Sequence, residues 1–134
     1  MASTTVFSLL DQGECKQVRA VMTCGAASNE FTSTKIPYNM RGMHLHSVRY
    51  TFSAVTAVTD NSDLVLREHT SATGVDILGG AGTNNIDAAA NTVFAPLIST
   101  TIVSAPVFGD LWIEPSGNSV NAAIITLDFN FVRL

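Results

Sequence analysis

Charge is what this 134-residue sequence has least of. Only 13% of its residues are Asp, Glu, Lys or Arg, about half the usual share of a globular chain. Spread over the roughly 6,800 Å² that a folded chain of 14.2 kDa exposes, they come to about one charge per 380 Å². Basic residues are the scarcer kind, 7 Lys and Arg against 11 Asp and Glu, for a formal net charge of −4. Seven scattered cations do not make a nucleic-acid-binding surface. Disorder is excluded as well, because disordered chains join high charge to low hydrophobicity, and 46% of this chain is hydrophobic. Its length suits one domain with one core.

Cysteine is nearly absent. Cys15 and Cys24 are too few for the disulfide framework of a small secreted domain, and their spacing is not that of a CxxC motif. Two reduced thiols are the simplest reading, and a single bridge is the alternative. No basic residue precedes Lys16, and the apolar stretch Val6 to Leu10 is too short for a signal-peptide core. The longest charge-free run, Ala88 to Gly109, contains Pro96, Pro106 and six Ser, Thr and Asn residues, so it predicts two buried segments with a turn, not a membrane span. The chain therefore reads as soluble and unexported, with no membrane partner.

Catalytic signatures are missing too. There is no G-x-S-x-G elbow, P-loop or Rossmann glycine pattern. Gly79-Gly80-Ala81-Gly82-Thr83 has no following lysine and reads as a flexible loop tip. Asp60-Asn61-Ser62-Asp63 lacks the EF-hand spacing and reads as a turn. His44-x-His46 is the one arrangement resembling a metal site, since alternate residues of a strand share a face. The cupin pattern it suggests then wants a carboxylate shortly after the second histidine and a further histidine on a later strand. Ser47-Val48-Arg49-Tyr50-Thr51 supplies no carboxylate, and nothing after His69 supplies a histidine. His44 and His46 are therefore weak metal candidates, and no cofactor is expected.

What is present is hydrophobic alternation with a period of two, the mark of half-buried strands. Ile125, Leu127, Phe129 and Phe131 alternate with Thr126, Asp128 and Asn130, in a strand that starts as early as Val120. Val18, Ala20, Met22 and Cys24 form a second series, and His46, Val48, Tyr50, Phe52 and Ala54 a third, with a slip of parity at Ala54-Val55. Leu64 to Arg67, Val75 to Leu78, Ile98 to Val103 and Leu111 to Glu114 predict shorter strands, the Ile98 segment buried. Pro115-Ser116-Gly117-Asn118 has the turn chemistry of a hairpin leading into the last strand. Asn85 to Ala90 is the only place for a short helix, with Asn85 as its N-cap. The prediction is an all-β, two-sheet antiparallel sandwich of jelly-roll type, with an immunoglobulin-like sandwich as runner-up. Residues 16–134 form that single domain, and residues 1–15 are an N-terminal arm or an edge strand.

Ser, Thr, Asn and Ala stand where Lys and Glu would normally protect a free surface, which is the composition of a chain that buries much of its surface against other proteins. Together with the sandwich pattern, the segment around Val6 and Phe7, and the terminal strand Asp128-Phe129-Asn130-Phe131-Val132-Arg133-Leu134, the chain resembles the small decoration, or cement, proteins of tailed-phage capsids. That resemblance implies a structural virion protein and not an enzyme: a homotrimer on the outer capsid surface, assembled in the host cytoplasm. It stabilises the shell by binding the major capsid protein. It also implies interface positions at Thr4, Thr5, Val6, Phe7, Leu9 and Leu10. The alternative is a carbohydrate- or receptor-binding sandwich of the head-fibre or tip type, with Tyr38, Tyr50 and Trp112 as stacking residues.

Overall fold

A computed structural model describes residues 3–134; the first two residues of the proposed arm lie outside it. Among the described residues twelve strands follow one another: β1 (Thr4–Asp11), β2 (Cys15–Thr23), β3 (Thr34–Lys35), β4 (His44–Phe52), β5 (Asp63–Glu68), β6 (Val75–Asp76), β7 (Thr92–Phe94), β8 (Leu97–Ile98), β9 (Thr101–Ile102), β10 (Ala105–Pro106), β11 (Leu111–Ser116) and β12 (Ile124–Val132). All pairings are antiparallel. The larger sheet runs β1-β2-β12-β4-β10, with β7 also on the outer side of β4; the smaller runs β3-β11-β5-β6. β8 and β9 form a separate small hairpin. The fold is thus an all-β antiparallel sandwich. Among the described residues there is no helix, so none is long and apolar enough to cross a membrane.

The long alternations become the centre of the larger sheet. Val18, Ala20 and Met22 of β2 and Ile125, Leu127 and Phe129 of β12 are fully buried, and Phe131 nearly so. Leu64 and Leu66 of β5 and Leu111 and Ile113 of β11 complete one core from the smaller sheet. Branched and aromatic residues fit the pleated surface there, and their packing sets the register.

Five expectations need correction. Pro115 to Asn118 does not close a hairpin. β11 runs on to Ser116 in the smaller sheet, and the chain then crosses to the larger one, where β12 pairs with β2 and β4. Gly117 and Ala122 both take positive φ in that crossing, which delays the last strand to Ile124. The segment Ile98 to Val103 is an exposed hairpin turning at Ser99, with Ile98 and Ile102 in solvent. Asn85 to Ala90 is not helical; Ile86 bridges to Ser62, and Asp87 accepts the amides of Ala89 and Ala90. The third alternation slips earlier than predicted. His46 is the extra residue of a bulge opposite Asn130 and Phe131, so Leu45 and Val48 both point inward while His46 is exposed. Finally, the glycine loop is packed, not a free tip. A Cβ at Gly79 or Gly82 would collide with the carbonyl of Leu97 or Leu64.

Cys15 and Cys24 are both free. They stand at opposite ends of β2, about 30 Å apart at the rise of an extended strand, so no disulfide can join them. Burial pushes the Cys24 thiol above its ordinary pKa, which keeps it protonated and unreactive.

Candidate functional site

The carboxylates hold loops. Asp60 accepts the amide of Ala88, and Asp63 that of Asn84. Asp76 accepts the amides of Leu66, Leu78 and Gly80. Glu114 takes Arg67 at 2.6 Å and the amide of Ala72. The nearly buried Glu68 receives the amides of Phe108 and Gly109. Asp128, 3% exposed on β12, forms a two-pronged pair with Arg19 of β2 at 2.8 and 2.9 Å. Those hydrogen bonds hold the Arg19 guanidinium above its usual pKa. These bonds account for the dispersal of acids seen in the sequence, and they tie the Asp60–Asp63 turn to neighbouring backbone.

Among the described residues no three His, Cys, Asp or Glu side chains stand close enough to hold a metal. His44 is half-buried with its Nδ1 unpartnered, and His46 beside it lies within 3.1 Å of the Ser47 hydroxyl. Of the aromatic candidates, Tyr50 is wholly buried and donates its hydroxyl to the carbonyl of Asp87 at 2.7 Å. Tyr38 is half-buried against the core, and Trp112 is half-buried with its ring nitrogen unpartnered. No stacking platform is assembled from these three.

The site the fold does assemble is an edge. Every residue of β1 pairs with β2, from Thr4 opposite Thr23 to Asp11 opposite Lys16. Among the described residues nothing pairs on its other side. The strand forms because Phe7 packs on the core from its inner face and because Gln12-Gly13-Glu14 makes a tight return. Gly13 takes φ +76° there, with its amide given to the Asp11 carboxylate. That amide, and then the ammonium of Lys16 at 3.2 Å, hold Asp11 below its ordinary pKa.

The direction of each backbone group on β1 follows from three bonds. Gln12 donates to the carbonyl of Cys15, Cys24 to Ala123, and Arg133 to Glu14. In an antiparallel ladder bonded and unbonded pairs alternate. Even-numbered residues of β1 therefore bond to β2, while Thr5, Phe7, Leu9 and Asp11 direct their N–H and C=O groups away from the sheet. No other backbone segment meets these four among the described residues.

The chain matches no protein-family model, no curated protein and no solved structure.

The six interface positions taken from the resemblance thus lie on one strand but on two faces. Thr4, Val6 and Leu10 are on the outer face of the larger sheet, with Val6 69% and Leu10 54% exposed. Thr5, Phe7 and Leu9 face the smaller sheet, where the Thr5 hydroxyl comes within 3.5 Å of that of Thr34 and Leu9 remains 37% exposed at the rim. Ser8 and Asp11, not singled out from the sequence, complete the strand. The Val6-Ser8-Leu10 alternation ahead of a Gly-containing turn was the signal for them.

Proposed function

We propose that this chain is an assembly protein: a structural virion subunit of the decoration or cement type, with the jelly-roll winding of that class. It works as a homotrimer on the outer capsid surface and stabilises the shell by binding the major capsid protein. The observation that carries this reading is β1, an eight-residue edge strand with unpaired backbone, exposed apolar side chains and a single charge at its end. Edge strands of monomeric proteins are normally shortened, bulged, charged or covered, because they invite pairing with another chain. Extended segments recognised in this way gain affinity from main-chain bonds and specificity from alternate side chains.

Binding is multivalent in this account. Each subunit makes a modest contact, and an oligomer makes several at once. The test is co-sedimentation with candidate capsid shells. Wild-type protein pellets with the shells, and a Val6→Lys, Leu10→Lys double variant of unchanged thermal stability stays in the supernatant. Equal pelleting by both proteins would sink the proposal.

A further inference from the structure

We infer that β1 pairs with β1 of a second copy of this chain, antiparallel and centred on Ser8, so that two larger sheets become one continuous sheet. The inference rests on the association reading above and names the occupant of the free edge.

Geometry restricts the pairing severely. Around a two-fold axis perpendicular to the sheet, an outer-face residue must meet an outer-face residue, because the pleat alternates. Registers centred between two residues are therefore excluded. Centring on Ser8 sets Val6 against the second copy's Leu10 on the outer face and Phe7 against its Leu9 on the inner face. Thr5 then meets Asp11, and each of these pairs occurs twice. Val6-Phe7-Ser8-Leu9-Leu10 is in effect an apolar palindrome about its serine. Centring on Phe7 instead sets Val6 against Ser8 and Thr4 against Leu10, mixing polar with apolar in every outer pair.

The backbone groups agree with this register. Thr5, Phe7, Leu9 and Asp11 carry the free donors and acceptors, and in the Ser8 register they face one another as hydrogen-bonded pairs. No free group on the strand is left opposite an already bonded one.

Charge permits it as well. Asp11, the strand's single charge, lies opposite Thr5 of the other copy. The row through Ser8 continues on each side into Arg19, which Asp128 neutralises. The two Arg19 side chains come three strand spacings apart, about 14 Å, beyond the roughly 8 Å screening length at physiological salt. The overlap runs about 24 Å and buries roughly 400 Å² per copy, half of what a standard stable interface buries. The pairing is accordingly weak in isolation and favoured by high protein concentration. It doubles whatever unit the rest of the surface builds, giving two copies alone or six where trimers also form. It also gathers two Val6–Leu10 pairs into one apolar patch that a single copy lacks.

The pairing is tested by light-scattering mass over a concentration series and by cysteine cross-linking. Cross-linking uses a Cys15→Ser background, since Cys15 is exposed and Cys24 buried. Ser8 sits on the axis in an unbonded pair, where the Cα atoms are about 4.5 Å apart and a disulfide fits. Ser8→Cys alone is expected to give a disulfide-linked dimer under oxidised glutathione, and wild-type mass is expected to double with concentration. Leu9→Pro, which removes only an outward N–H, should raise the concentration needed for doubling at least tenfold; if it folds poorly, Val6→Lys serves in its place. Unchanged mass at every concentration, with no Ser8→Cys cross-link, would overturn the pairing. Cross-linking only in a Val6→Cys and Ser8→Cys mixture would overturn the register. A protein that never doubles yet still pellets with shells would overturn the second copy as occupant while leaving the assembly reading standing. A doubling protein that never pellets would do the reverse.

Discussion

The two edges of the larger sheet carry similar side chains and opposite backbones. At the β4 edge, Val93, Ile98, Ile102 and Phe108 are all well exposed, and at the β1 edge Val6, Leu9 and Leu10 are. Yet the β4 edge is closed piecewise. β7 pairs with Val48 to Tyr50, and β10 with His44 and Leu45, ending on Pro106, which has no N–H to offer. The His46 bulge interrupts the ladder between them. The β8–β9 hairpin folds over that gap, leaving a groove of about 830 Å³ lined by His46, Arg49, Phe94 and Ile102. The smaller sheet ends on strands of two residues each. Among the described residues only β1 presents a long, regular and unguarded ladder. Exposed apolar side chains are thus common to both edges, and what sets β1 apart is unpaired backbone along its length.

The comparison breaks first in the backbone of β1 itself. Leu10→Pro removes an N–H that bonds to β2, and it is expected to cost about 3 kcal/mol. Leu9→Pro, one residue away, removes only an outward N–H from the backbone, so beyond the partial burial of the Leu9 side chain, roughly 1 kcal/mol, little is expected to be lost. Urea unfolding midpoints of the two variants check the alternation directly, and equal losses would contradict it.

The guarded edge has its own anchor in Glu68, which fastens the segment after β10. Glu68→Ala leaves the Phe108 and Gly109 amides without their acceptor and should cost roughly 2–3 kcal/mol. It should also add concentration-dependent aggregation, visible by light scattering, as the second edge loosens.

Tyr50 offers a milder way to loosen the same edge. Burial, and then the nearby Asp87 and Asp60 charges, push its pKa up to about 12. The folded protein thus holds the proton to higher pH than an unfolded tyrosine near pH 10. Stability from this group is fully present below pH 10 and is lost as pH rises from 10 towards 12, by about 2 kcal/mol. Tyr50→Phe should be less stable at neutral pH, by about 1 kcal/mol for the lost hydroxyl bond, and should lack that alkaline slope. Unfolding followed at pH 8, 10 and 11.5 checks both. The smallest effect on folding belongs to Val6→Lys. Stability should change by less than about 0.5 kcal/mol, while association through β1 falls at least tenfold in sedimentation.

What the sequence revealed depended on how local the cause was. β2 and β12 were legible residue by residue, because burial on one face writes itself as alternation in Val18-Ala20-Met22 and Ile125-Leu127-Phe129. The His46 bulge was not, since the alternation there admits two phases and only pairing with Asn130 and Phe131 chooses between them. The crossing at Gly117 looked like a hairpin because turn residues do not state which sheet comes next. Ile98 and Ile102 looked buried because branched side chains favour strands, whether or not anything covers them. For the candidate site, the apolar character of Thr4 to Leu10 was readable. Whether it was an edge strand or a free arm was not decided there, because that depends on β12, more than a hundred residues later, occupying the other side of β2.

The most direct test of the central claim is residue-resolved amide hydrogen exchange along β1 at low and high protein concentration. The Val6, Ser8 and Leu10 amides, bonded to β2, should be protected at both. The Phe7 and Leu9 amides should exchange rapidly when dilute and become at least tenfold slower when concentrated, with the Thr92–Phe94 edge unchanged. Phe7 and Leu9 amides that stay fast while the measured mass shows assembly would contradict the account, because association would then run through some other surface.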